Sequence, residues 1–91
     1  HAICEEYRAA ADIDVARDAA DRAANRCIRC PTLALWSKES ALDNWYEQAG
    51  GPLGIWRNWA TDVTGRAIAG GHFFPEQNPG ETISELSAFF E

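Results

Sequence analysis

No apolar run in this 91-residue sequence approaches the roughly 20 residues that a membrane-crossing helix needs. Positive charge is also scarce. Eight Lys and Arg face 14 Asp and Glu, for a net charge of −6, whereas a nucleic-acid binder needs a basic surface to neutralise phosphates. Internal repeats, low-complexity linkers and a second domain boundary are all missing, and no signal-peptide pattern opens the chain. A soluble, cytoplasmic protein that binds neither nucleic acid nor membrane is the expectation.

Cysteine and histidine are too few for a familiar metal site. Cys4, Cys27 and Cys30 form an odd set, and the two histidines are His1 and His72. The pair in "CIRCP" has CxxC spacing, but a structural zinc site takes four ligands, usually from two such pairs. In thioredoxin-like proteins the CxxC follows a strand and opens a helix. Here it precedes a strand-like run, across Pro31. Reduced structural thiols, with no metal and no organic cofactor, are therefore expected.

Helical and strand-like patterns alternate along the chain. Residues 2–11, "AICEEYRAAA", have helical propensity throughout, and "DIDVARDAADRAAN" predicts a second, alanine-rich surface helix capped by Asp12 or Asp14. "TLALW", residues 32–36, reads as a strand buried on both faces of a parallel sheet. A polar, glycine-containing loop follows. In "PLGIWRNWA" a helical stripe of Leu53, Trp56 and Trp59 is expected, with Pro52 as its first residue. "VTGRAIAGG" is a weaker second strand. In "NPGETISELSAFFE", Asn78 is the predicted N-cap, Pro79 the first helical residue and Glu81 the capping-box partner, with Ile83, Leu86, Phe89 and Phe90 on a buried stripe.

This order of elements is that of the end of a doubly wound α/β sheet with helices on both faces. Two strands cannot make an independently stable sheet, and ten large aromatic residues are many for so short a chain. The sequence also opens at His1 within a helical pattern. The C-terminal part of a larger domain is the expected reading.

His72 draws attention because ligands in such sheets bind beyond the carboxyl ends of the strands. It follows the second strand and two glycines that permit a tight turn. A histidine in an apolar setting is commonly structural. At a strand's carboxyl end it can equally serve as a general base, since histidine ordinarily titrates near neutral pH.

The same stretch, "GGHFFPEQNPGETISELSAFF", resembles the C-terminal histidine motif of α/β-hydrolases. "ICEEYRAAADID", "CPTLALW" and "PLGIWRNWATDVTGRAI" extend the resemblance over nearly the whole chain to the haloacetate dehalogenases, including the fluoroacetate dehalogenases. The resemblance implies the C-terminal portion of an α/β-hydrolase fold: the last two parallel strands with flanking helices (residues 12–91) and the end of a helical cap (residues 1–11). It implies hydrolysis of the carbon–halogen bond of a short 2-haloacid. An aspartate upstream attacks carbon, halide leaves, and a histidine-activated water cleaves the resulting ester. His72 matches that catalytic histidine, and Tyr7 matches the tyrosine whose hydroxyl helps hold the departing halide. A homodimer is likewise implied.

Two departures from the family pattern stand out. Where many α/β-hydrolases place the histidine's acid partner in a W-G-x-x-D turn, this chain has "WSKES", which ends in Ser40. Glu39 and Asp43 are nearby substitutes supported only by proximity, and the acid is left unassigned. The segment of residues 37–54 is longer than its family counterpart and lacks the glycine after Trp36. Other readings stay open: an epoxide hydrolase or serine esterase on the same fold, a non-catalytic binding protein, or a small metal-binding module.

Overall fold

A computed structural model describes residues 1–91. The first two helices, α1 (Ala2–Ala11) and α2 (Ile13–Ala23), pack against each other. Neither contains a buried residue. Asp12 occupies the N-cap position of α2, but its side chain makes no capping hydrogen bond, and Asp14 lies within the first turn. The expected aspartate cap is thus present in position only. The helix stops two residues short of Asn25, which takes a left-handed φ of 55°, a conformation that asparagine tolerates better than most residues.

Two strands follow, β1 (Thr32–Ser37) and β2 (Val63–Ile68), paired parallel with Thr32 opposite Val63 and Ser37 opposite Ile68. An isolated parallel bridge between Ile28 and Ala60 extends the pairing upstream. Gly65 faces Ala34 in this register. A Cβ at Gly65 would fall 1.8 Å from the Ala34 carbonyl oxygen, so only glycine fits where the two backbones approach.

The chain between the strands forms two 3₁₀ turns, Ala41–Asp43 and Glu47–Ala49, and then α3 (Gly51–Trp56). The expected helix was longer. Trp59 lies beyond its end, because tight turns carry the chain from Trp56 into the extended bridge at Ala60. After β2 come a turn, the short α4 (Phe74–Gln77) and α5 (Pro79–Phe90).

Side chains alternate across β1, as a strand requires. Ala34 and Trp36 line an apolar cleft of about 310 Å³ with Leu42, Ile55 and Trp56. Leu33 lines a cleft toward Leu86, Phe89 and Phe90 of α5. The sheet therefore carries helices on both sides, the layering the element order predicts.

Burial is the main difference from expectation. Only Ala60, Ile68, Ser37 and Thr82 are buried, and most of β1 is half-buried. The stripe on α5 is open rather than covered: Ile83 is 61% exposed and Phe90 78%, while Thr82 is the helix residue that faces inward. Phe89 is half-buried on the side toward Leu33, and the rest of the stripe stays open within this chain. The radius of gyration, 15.1 Å, also exceeds the roughly 12 Å of a compact domain of this length.

Candidate active site

The turn from β2 to α4 is built by backbone groups that leave the sheet ladder and find side-chain partners. Pairing ends at Ser37 and Ile68, where the Lys38 N–H still donates to the Ile68 carbonyl at 2.8 Å. The next residue, Ala69, has both polar atoms held. Its N–H donates to Glu81 Oε2 at 3.3 Å, and its carbonyl accepts from Asn78 Nδ2 at 3.1 Å. The following peptide unit is held in the same way. The Gly70 carbonyl accepts from Ser37 Oγ at 2.5 Å, and the Gly71 N–H donates to Gln77 Oε1 at 2.6 Å.

Gly70 permits this path. Its φ is 131°, and a Cβ there would sit 3.2 Å from Phe74 Cβ and 3.3 Å from Gln77 Oε1. A side chain would meet both an unfavourable backbone conformation and a crowded neighbour. The turn can therefore run close under α4 only because its first anchoring position is glycine.

His72 emerges next, exposed, at the carboxyl end of the parallel sheet. Its ring meets Phe73 edge-on, with centroids 4.9 Å apart. Its imidazole makes no hydrogen bond to any group of this chain. Both ring nitrogens are thus open to a water, a substrate or a carboxylate from outside these 91 residues.

The two nearby acids do not reach it. Asp43 Oδ1 accepts a hydrogen bond from Trp36 Nε1 at 2.9 Å, which fastens the first 3₁₀ turn to the end of β1. Glu39 is exposed on the same loop. Tyr7, the other residue singled out by the sequence, lies on α1 and is 75% exposed. No hydrogen bond or ring contact joins it to His72 within this chain.

The cysteines remain apart from the turn. All three are free, Cys27 being half-buried and Cys4 and Cys30 exposed. No three His, Cys, Asp or Glu side chains converge as metal ligands would.

Asn78 is the N-cap of α5, as its place before Pro79 predicts: its Oδ1 accepts from the Glu81 N–H at 3.3 Å. The other half of the expected capping box is absent. The Asn78 N–H already donates to the Phe74 carbonyl at 2.7 Å, so the Glu81 carboxylate turns to Ala69 and to Arg66, 3.8 Å away. Ser37 and Gln77 hold the turn without any local sequence pattern that marks them for it. The one signal for Ser37 was its occupation of the position where the resembled family has glycine.

No protein-family model matches the sequence. Solved structures do. A protein from Nostoc sp. PCC 7120, provisionally assigned as an α/β hydrolase, matches with a TM-score of 0.87 and 40% identity, over 99% of this chain and 29% of its own. A protein from Pseudomonas aeruginosa, provisionally assigned as an epoxide hydrolase, was solved as a threonine-to-aspartate variant with bound MFA. It matches with a TM-score of 0.81 and 41% identity, over 98% of this chain and 28% of its own. A second structure of the same variant matches equally well. The chain thus spans less than a third of the length of these proteins. With its parallel strands and flanking helices, its fold is that of an α/β-hydrolase segment.

Proposed function

We propose that this chain is the histidine-bearing segment of a hydrolase that cleaves the carbon–halogen bond of short 2-haloacids. The observation that carries the reading is His72 itself: an exposed imidazole at the carboxyl end of a parallel strand, on a turn whose backbone is held on every side. Ligands of open α/β sheets bind at that edge. The similarity to α/β hydrolases supports hydrolysis as the reaction class. The resemblance of "CEEYRAAADID" and "WRNWATDVTGRA" to haloacetate dehalogenases supports the substrate class.

In the proposed reaction a carboxylate from outside this chain displaces halide and forms an ester. His72 removes a proton from water, which attacks the ester carbonyl and releases the hydroxyacid, regenerating the carboxylate. Tyr7 donates a hydrogen bond to the departing halide. Fluoride is a poor leaving group, and a directed donor stabilises the charge that develops on it. A carboxylate from elsewhere in the fold orients the imidazole, as neither Asp43 nor Glu39 meets it here.

The test is made in the whole protein with chloroacetate and fluoroacetate. His72→Asn should permit ester formation and one equivalent of halide release, while blocking ester hydrolysis. Mass spectrometry should then detect the covalent adduct. Absence of an adduct, with steady halide release, would show that His72 does not hydrolyse an ester.

A further inference from the structure

The Gly70–Gly71 peptide unit is gripped at both ends. Ser37 Oγ donates to its carbonyl at 2.5 Å, and Gln77 Oε1 accepts from its N–H at 2.6 Å. These two side chains come from opposite directions in the chain, one from the last residue of β1 and the other from the end of α4. Between two glycines a peptide plane has unusual freedom to rotate, because neither flanking residue carries a Cβ to restrict φ and ψ. Here that freedom is removed one residue before His72.

We infer that Ser37 and Gln77 are positioning residues for His72, acting by locking the orientation of the Gly70–Gly71 peptide. The inference rests on the functional reading above for its catalytic consequence, though not for the lock itself.

The setting of Ser37 favours this role over simple packing. It is only 6% exposed and stands opposite the fully buried Ile68 in the strand register. Its carbonyl accepts from Ser40 Oγ at 2.8 Å, so its backbone is anchored to the loop on the far side. From this buried position its hydroxyl donates to the Gly70 carbonyl. Gln77 lies at the exposed end of α4 and its Oε1 also stands 3.4 Å from where a Gly71 Cβ would be, so it closes over the turn from outside. Flipping the peptide would cost both bonds at once and would aim the Gly70 carbonyl away from its only donor.

A base that attacks through water must be held to a fraction of an ångström. Misplacement by about 1 Å costs on the order of a hundredfold in rate. Loosening one of two grips should cost less.

The experiment uses the whole protein and two independent readouts. The first needs no substrate: NMR of the His72 ring and the Gly71 amide in the parent, in Gln77→Ala and in Gln77→Glu, which keeps an acceptor oxygen. Gln77→Ala should speed Gly71 amide exchange by about tenfold or more and broaden or split the His72 ring signals, with the β1–β2 amides unchanged. Gln77→Glu should restore the parental spectrum. Ser37→Ala should broaden the same ring signals.

The second readout is single-turnover haloacetate hydrolysis. Gln77→Ala should slow ester hydrolysis roughly tenfold while leaving ester formation within about twofold. Parental Gly71 exchange and a sharp His72 ring in Gln77→Ala would overturn the inference, as would Gln77→Glu behaving like Gln77→Ala. If the parent itself forms no ester from haloacids, the functional reading falls, while the NMR result still decides whether the lock holds His72.

Discussion

At the scale of single residues, the proposed roles of His72 and Tyr7 stand on different grounds. His72 followed from its place after a strand and two glycines. Tyr7 rested on family resemblance alone, and on α1 it has no partner in this chain that would define a role. The expected consequence of the proposed role is selective. Tyr7→Phe should slow defluorination by roughly 10–100-fold and dechlorination by less than about tenfold, because the poorer leaving group depends more on a donated hydrogen bond. Parallel assays of fluoride and chloride release check this, and equal slowing would return Tyr7 to a packing role. Gly70 supports a second prediction that is independent of substrate. Gly70→Ala forces a Cβ to within 3.2 Å of Phe74 at a φ of 131°. It should destabilise the whole protein by about 1–3 kcal/mol, measured by urea denaturation. The need for glycine at this position was readable as a tight turn. The polar grips around it were not, because Ser37 and Gln77 are 33 and 6 residues from their partners and no local rule pairs them.

Among the elements, the strands and the long C-terminal helix were read correctly from period and capping residues. A parallel strand announces itself by a continuous apolar run, and α5 by Asn-Pro at its start. The short α4 was missed, since four residues around a proline carry no period. The capping box failed for an informative reason. Local rules assign Glu81 to the nearest free N–H, but α4 ends directly against α5 and takes that N–H first. Asn78 consequently serves two elements: Oδ1 caps α5 and Nδ2 holds the Ala69 carbonyl. Asn78→Ala removes both contacts. It should cost about 1–2 kcal/mol of stability, within the upper range for loss of an N-cap, and should raise hydrogen exchange in the first turn of α5. Asn78→Asp keeps the cap acceptor but not the donor to Ala69, so it should lose less than Asn78→Ala.

For the molecule as a whole, the exposed apolar surface is the dominant fact. Ile3, Tyr7, Ile83 and Phe90 are each more than 60% exposed, and among large apolar side chains only Ile68 is fully buried. Surfaces of this kind in a two-stranded sheet do not sustain a cooperative fold by themselves. The 91 residues expressed alone should bind ANS strongly and melt without a cooperative transition, as followed by near-ultraviolet circular dichroism. A sharp thermal transition would show that they fold independently.

The sequence by itself determined the order of elements, the parallel character of the strands and the placement of His72 at a strand's carboxyl end. Each of these is local, set by period, turn chemistry and capping residues within a few positions. Tertiary structure alone decided which side chains hold the histidine turn, where the Glu81 carboxylate goes, and which face of α5 lies open. Those outcomes depend on groups distant in sequence competing for the same hydrogen-bond partners and the same covering surface. Such competition is resolved only when the chain is folded.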